Sequence, residues 1–223
     1  MKKTVILMAV TMMGTLVQAE LIGVNFEGAG GKPVTGTAGV VAQGNWNNLS
    51  GNDTSTPVAL INASGGVTGI SVAWKAKTGA VSSSLFVTED QKLHYGRMEV
   101  NVNSYSDNNH IAISDISFES YDLYLYVSGW VDNRNGYAQV LQGDTTTVVG
   151  SELGFNTYEN FPGTHSESTS TATGDRGTYV LWEGLTDTDI NIQWKDTGLN
   201  VGVSGFQIDG VEYPTLGTLL IIK

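Results

Sequence analysis

Beyond residue 20 the apolar positions come in short runs, separated by clusters of Gly, Asn, Asp and Ser. No stretch of useful length repeats at the helical period. Many short strands punctuated by turns are the pattern of a sandwich or barrel. Strands are predicted at 21–26, 58–62, 67–76, 110–113, 121–127, 136–141, 145–149, 178–182, 190–194 and 203–208. Ser64-Gly65-Gly66 separates 58–62 from 67–76, and Gln142-Gly143-Asp144 is a good turn between 136–141 and 145–149.

Alternation sorts the faces. Ile190, Ile192 and Trp194 fall on one side of their strand and Asn191 and Gln193 on the other, which predicts one wet face. The run Tyr121-Asp122-Leu123-Tyr124-Leu125-Tyr126-Val127 is apolar on both faces beyond Asp122, as expected of a central strand covered on both sides. Two segments break the strand pattern. Residues 89–98 read as a short helix, with Thr88 and Gln91 spaced as a capping box. Residues 163–177 are rich in Ser and Thr and read as a long mobile loop. The expected fold is all-β: an antiparallel β-sandwich of jelly-roll type with one short helix and long loops, forming one domain over 20–213.

The N-terminus reads differently. Lys2 and Lys3 precede an almost unbroken apolar run from Thr4 to Val17, and Val17-Gln18-Ala19 supplies small residues for cleavage after Ala19. This predicts a signal peptide at 1–19 and a secreted or cell-surface protein. The apolar run is short for a membrane span of roughly 20 residues; the alternative is an uncut N-terminal anchor. The leader holds two of the eleven basic residues and no acid. The remaining chain has nine bases against twenty-two acids, a net charge of −13. Such a surface repels nucleic acid and anionic lipid, and suits neutral glycans and hard cations. There is no cysteine, which excludes disulfides, thiol nucleophiles and Cys-type zinc sites.

Several segments, in order, carry a resemblance. They are Gly23-Val24-Asn25-Phe26; Ala38-Gly39-Val40-Val41 leading to Asn45-Trp46-Asn47-Asn48-Leu49; Tyr121 to Tyr126; Asn135-Gly136-Tyr137; Gly177-Thr178-Tyr179-Val180 running to Gly184-Leu185-Thr186; and Gly205-Phe206-Gln207-Ile208. Over most of residues 21–209 this order resembles a group of uncharacterised secreted bacterial proteins. Their fold is a galactose-binding-like, carbohydrate-module-like jelly roll, and many carry a C-terminal Pro-Glu-Pro sorting tail. The resemblance implies that fold and an extracellular setting, and no ligand residues. Residues 214–223 look like the start of such a tail. Yet the acid is displaced to Glu212, the apolar part is too short to span a bilayer, and the terminal arginines are missing. A degenerate sorting signal and a last edge strand both fit.

The chemistry is sparse. His94, His110 and His165 are far apart and lack metal-type partners at close spacing. There is no G-x-S-x-G elbow. Glu89, Asp90, Glu99 and Glu183 could serve glycoside hydrolysis, but no compact motif sets two of them across a sugar bond. No cofactor is called for. Calcium is left open, with Asp132 in Asp132-Asn133-Arg134-Asn135-Gly136 and Asp107 in Asp107-Asn108-Asn109 as weak candidates. Trp182 and Trp194 lie in strand patterns, and Trp74 suits core or edge. Trp46 sits among Asn45, Asn47 and Asn48, and Trp130 ends a strand before Asn133 and Asn135. An indole beside amides can stack on a pyranose while the amides bond its hydroxyls. It can equally plug the end of the sandwich. Trp130, Asn133, Asn135, Trp46, Asn47 and Asn48 are therefore the candidate ligand-binding residues. The expected function is a non-catalytic secreted or surface-displayed module that binds a glycan or extracellular matrix polymer. The alternatives are a structural envelope or matrix protein without a small ligand, and a carbohydrate-active enzyme.

Overall fold

The short apolar runs pair into two sheets. A computed structural model describes residues 19–81, 87–100, 104–106, 108–143, 146–169, 176–197 and 201–212. Of the predicted leader at 1–19, residues 1–18 lie outside the described residues, as does the tail at 214–223; Ala19 is the first residue of β1. In chain order the elements are β1 (Ala19–Gly28), β2 (Asn47–Ser50), β3 (Asp53–Ile61), β4 (Val67–Lys75), β5 (Thr78–Val81), α1 (Glu89–Leu93), β6 (Gly96–Val100), β7 (His110–Ser114), β8 (Phe118–Gly129), β9 (Asn135–Gln142), β10 (Val148–Asn156), β11 (Tyr179–Leu185), β12 (Ile190–Asp196) and β13 (Val201–Glu212).

One sheet has seven strands, ordered β11-β8-β13-β1-β2, with β6 also on β13 and β5 on β6. The other has six, ordered β10-β9-β12-β7-β4-β3 and antiparallel throughout. The single parallel pairing among the named strands is β1 with β2. The two sheets make a β-sandwich. Both predicted hairpins form, as β3–β4 and β9–β10.

The core lies between the sheets. Ile22, Val24 and Phe26 of β1, Leu123 and Leu125 of β8, and Phe206 and Ile208 of β13 face Trp74, Ile111, Ile113, Val140, Ile192 and Trp194 of the six-stranded sheet. The Phe26 ring centroid is 5.6 Å from that of Trp74 and 6.1 Å from that of Phe206. Trp182, Trp194 and Trp74 are all buried.

A second, smaller cluster covers part of the outer face of the seven-stranded sheet. Val34, Ala38, Trp46 and Leu93 pack over Tyr126. The Tyr126 hydroxyl donates to Gln207 Oε1 and accepts from the Val40 N–H at 2.8 Å. Gln207 Nε2 donates to Val41 O at 2.8 Å and to Gln43 Oε1 at 2.9 Å. The loop before β2 and helix α1 thus form a cap in which Tyr126, Gln207 and Gln43 satisfy one another.

Four expectations change. The helix keeps its capping box, with Thr88 accepting from Gln91 N, but it ends at Leu93. Residues 96–100 form β6 instead, because the chain must pass close to β1. A Cβ on Gly96 would sit 2.5 Å from Glu27 O. The strands β2, β5 and β6, four or five residues each, were not predicted.

The segment at 163–177 is anchored where it is described. Ser168 is fully buried, its hydroxyl donates to Gly154 O at 2.9 Å, and its N–H donates to Tyr179 O at 2.9 Å. His165 Nε2 lies 3.0 Å from Asp90 Oδ1. Its ring sits 5.5 Å from that of His94, which stacks on Phe161 at 4.8 Å. Residues 170–175 lie outside the described residues.

The predicted wet face of β12 is polar and, among the described residues, carries no covering layer of strands, but it is less exposed than expected. Asn191 and Gln193 are 6% and 5% exposed, because β9 and β7 flank them on both sides. β8 is central as expected, between β11 and β13, but only part of its outer side is covered: Tyr126 is buried, while Asp122 and Tyr124 are half-buried.

Candidate functional site

The two outer faces differ. The seven-stranded sheet carries the cap. The six-stranded sheet turns Ile111, Ile113, Val140, Ile190, Ile192 and Trp194 into the core, so their neighbours along each strand face outward. Register then aligns those neighbours. Gln139 of β9 lies opposite Gln193 of β12, Gln193 opposite His110 of β7, and His110 opposite Lys75 of β4. Four polar side chains form one row across four strands. With strands about 4.8 Å apart, the row spans about 14 Å. A parallel row holds Leu141, Asn191, Ala112 and Ala73.

The rows are partly pre-ordered. Gln139 Nε2 donates to Gln193 Oε1 at 3.2 Å. Asn191 Oδ1 is buried and has no partner among the described residues. At the β9–β10 side, Glu152 accepts from Lys195 Nζ and from the Tyr105 hydroxyl, both at 2.7 Å. The Lys195 ammonium lies 4.3 Å from the Tyr105 ring centroid and 4.8 Å from that of Tyr137. Burial works against the charge on Glu152, but these two donors outweigh it and hold the carboxyl below its usual range. Burial above all, then Glu152, raises the Tyr105 hydroxyl's pKa.

A cleft opens at each end of these strands. Beside Ser114 and Asn191, a cleft of about 490 Å³ includes Gln142, Asp187 and Asp189. Beyond Lys75, one of about 440 Å³ includes Asn52, Lys77 and Asn109. The face therefore runs from an acidic end to a basic end, with amides between. Amides and hydroxyl-bonding groups over small residues suit a polyol better than an apolar ligand.

The residues singled out from the sequence fall in three places. Trp130, at the end of β8, is 53% exposed, with the Arg97 guanidinium carbon 5.8 Å from its ring centroid. Arg97 is fully buried, and its Nε and Nη2 meet Glu99 Oε1 at 2.8 and 2.7 Å. Asn133 turns at a positive φ of 64° close by, and its N–H donates to Thr157 O. Asn135 opens β9, and its carbonyl accepts from Thr197.

Trp46, Asn47 and Asn48 belong to the cap. Trp46 is 5% exposed, packs on Tyr126 and donates its indole N–H to Gln43 O at 3.1 Å. Asn47 Nδ2 donates to Gly23 O and Ile61 O, and its Oδ1 accepts from Ile61 N. Asn48 bridges Asn25 and Val34. Trp46 and Asn47 are buried and Asn48 is half-buried, and their hydrogen bonds tether β2 and the cap.

Asp132, the calcium candidate among the described residues, is already partnered. Asp132 Oδ1 accepts from Glu159 N at 2.9 Å and lies 2.6 Å from Arg176 Nη2. The Glu159 amide first and Arg176 next hold its carboxyl below the ordinary range. A guanidinium at that distance takes the place a cation would need. Asp107 lies outside the described residues. Among the described residues no group of three or more His, Asp or Glu is placed to share a metal.

The residues of the open face were not singled out from the sequence as a site. The available signal was the strict alternation of Asn191 and Gln193 with Ile190, Ile192 and Trp194. Only strand register could bring Gln139, His110 and Lys75 beside them.

No protein-family model matches the chain, and a search of curated proteins gives no match. Among solved structures, a calcium-binding mutant of Bacteroides uniformis beta-glucuronidase 2 aligns with a TM-score of 0.46 at 11% sequence identity. The alignment covers 86% of this chain and 18% of that one. The chain thus spans about a fifth of that protein's length.

Proposed function

We propose that the protein is a non-catalytic module, exported and secreted or surface-displayed, that binds a glycan or extracellular polymer along the open face of its six-stranded sheet. The observation that carries this reading is the cross-strand row Gln139, Gln193, His110 and Lys75, beside a buried amide oxygen on Asn191 that has no partner among the described residues. Buried acceptors gain most from a ligand hydroxyl that satisfies them. The aromatic faces of Tyr137 and Tyr105 at one edge offer apolar surface to sugar C–H groups. The apolar leader and its Val17-Gln18-Ala19 site support export. The ordered segments shared with secreted bacterial jelly-roll proteins support the same setting and suggest the same wiring of strands.

A glycan array tests this, probed with the wild-type protein, Gln193→Ala and Trp130→Ala, with and without Ca²⁺. Binding by wild type that is lost in Gln193→Ala supports the open face. Loss in Trp130→Ala alone moves the site to the turn after β8. No binding by any of the three favours a structural envelope or matrix role. Release of reducing ends from a bound polysaccharide would make the protein an enzyme.

A further inference from the structure

We infer that the cleft at the Lys75 end of the open face is a subsite for an acidic sugar residue, one that carries an oxyanion and a neighbouring hydroxyl. This rests on the glycan-binding reading and gives the ligand a charge and a direction.

The distribution of cations carries the argument. Lys92, Arg97, Arg176 and Lys195 each hold a carboxylate at 2.6–2.7 Å. Lys75 and Lys77 both line the cleft, and neither has an ion-pair partner among the described residues. Asp53, the cross-strand partner of Lys75, also lines the cleft, so among the described residues two ammonium groups stand there against one carboxylate. A chain with net charge −11 repels a polyanion from most directions. Two lysines without an ion pair among the described residues, in one concave place, are a local exception, and a compact cleft confines their field.

The second observation concerns an acceptor. Asn109 is 1% exposed and lines the same cleft. Its Nδ2 donates to Ser106 Oγ at 3.4 Å, while its Oδ1 is buried without a partner among the described residues. An orphaned buried carbonyl oxygen needs a donor. A bare inorganic anion brings none. A sugar with a carboxylate or sulfate ester beside a free hydroxyl brings both halves: the oxyanion for the lysines and the hydroxyl for Asn109. The lysine stems supply apolar wall for the ring.

The site lies beside the end of the polar row, because Lys75 belongs to both. A chain lying along Gln139, Gln193 and His110 would reach it with its next residue.

Titration calorimetry on the full protein separates the possibilities. The probes are a polyuronate, a sulfated polysaccharide, a neutral polysaccharide and inorganic sulfate, and the proteins are wild type, a Lys75→Gln/Lys77→Gln double variant and Gln193→Ala. Thermal melting confirms that each variant folds. The inference expects tighter wild-type binding of an acidic polymer than of the neutral one. It expects at least a tenfold loss in the double variant, and affinity that falls with added salt. The polyuronate and sulfated arms tell carboxylate from sulfate ester. Equal binding of acidic polymer by wild type and double variant overturns the subsite. So does inorganic sulfate binding as tightly as the polymer. If the neutral polymer binds and depends on Gln193 while the acidic arms fail, the glycan-binding reading stands and this inference falls. If no polymer binds at all, both fall.

Discussion

Gln139 and Gln193 stand directly opposite each other on β9 and β12, and the amide of one donates to the carbonyl of the other at 3.2 Å. The pair fixes which end of each amide remains for a ligand. Gln139 keeps its carbonyl oxygen, and Gln193 keeps its NH₂. Gln193→Ala should therefore remove a donor and release the orientation of Gln139 together. Its stability cost should be about 1 kcal/mol, the net worth of one hydrogen bond. Denaturant melts and glycan affinity measured on the same preparation check this. A cost well above that would show the pair to be structural.

Trp194 and Trp130 should respond very unequally to truncation. Trp194 is fully buried beside Ile192 in the main core, so Trp194→Ala should cost about 3–5 kcal/mol through lost transfer energy and a cavity. Trp130 is half exposed, and Trp130→Ala should cost about 1 kcal/mol. The shift in denaturation midpoint reads both, and equal shifts would contradict the burial pattern.

Acid should weaken the fold through His94. Burial first, then the nearby His165, pushes the His94 imidazole down to about 3 from its ordinary 6.5, against the pull of Asp90. The unfolded chain takes up this proton as pH drops through about 6.5, and the folded chain resists it until about 3. The unfolded state thus binds more protons in that window. Stability is complete above pH 6.5 and falls as pH drops toward 3, at most about 1.4 kcal/mol per pH unit from this group. Asp90 adds its own loss lower down, since bonds from His165 and Gly39 outweigh its burial and depress its carboxyl. His94→Gln should flatten the slope between pH 6.5 and 5. An unchanged slope there would remove His94 from the account.

The exported protein should begin at Glu20. N-terminal sequencing of material from the periplasm or medium checks this directly, and recovery of intact Met1 would refute the cleavage.

Much of the fold was legible in the sequence. The alternation in 190–194 named β12 and its inward face, and the glycine-rich turns at 64–66 and 142–144 marked two hairpins. Strands of four or five residues with mixed composition left no pattern to read. In β6 every residue is buried, Arg97 and Glu99 included, so polarity hides its strand character. The amides beside Trp46 show another limit of composition. Asn47 and Asn48 beside Trp46 have the composition of a sugar site, but their side chains bond the backbones of β1, β3 and the cap. The open-face residues come from four strands that are distant in sequence, and only register unites them.

The most direct test of the central claim is an NMR titration of the labelled protein with the tightest ligand from the glycan array, following backbone and side-chain amide signals. The account predicts that the largest shifts fall on Gln139, Asn191, Gln193, His110 and Lys75. Shifts confined to Trp130 and Asn133, or to the cap around Trp46, would contradict it.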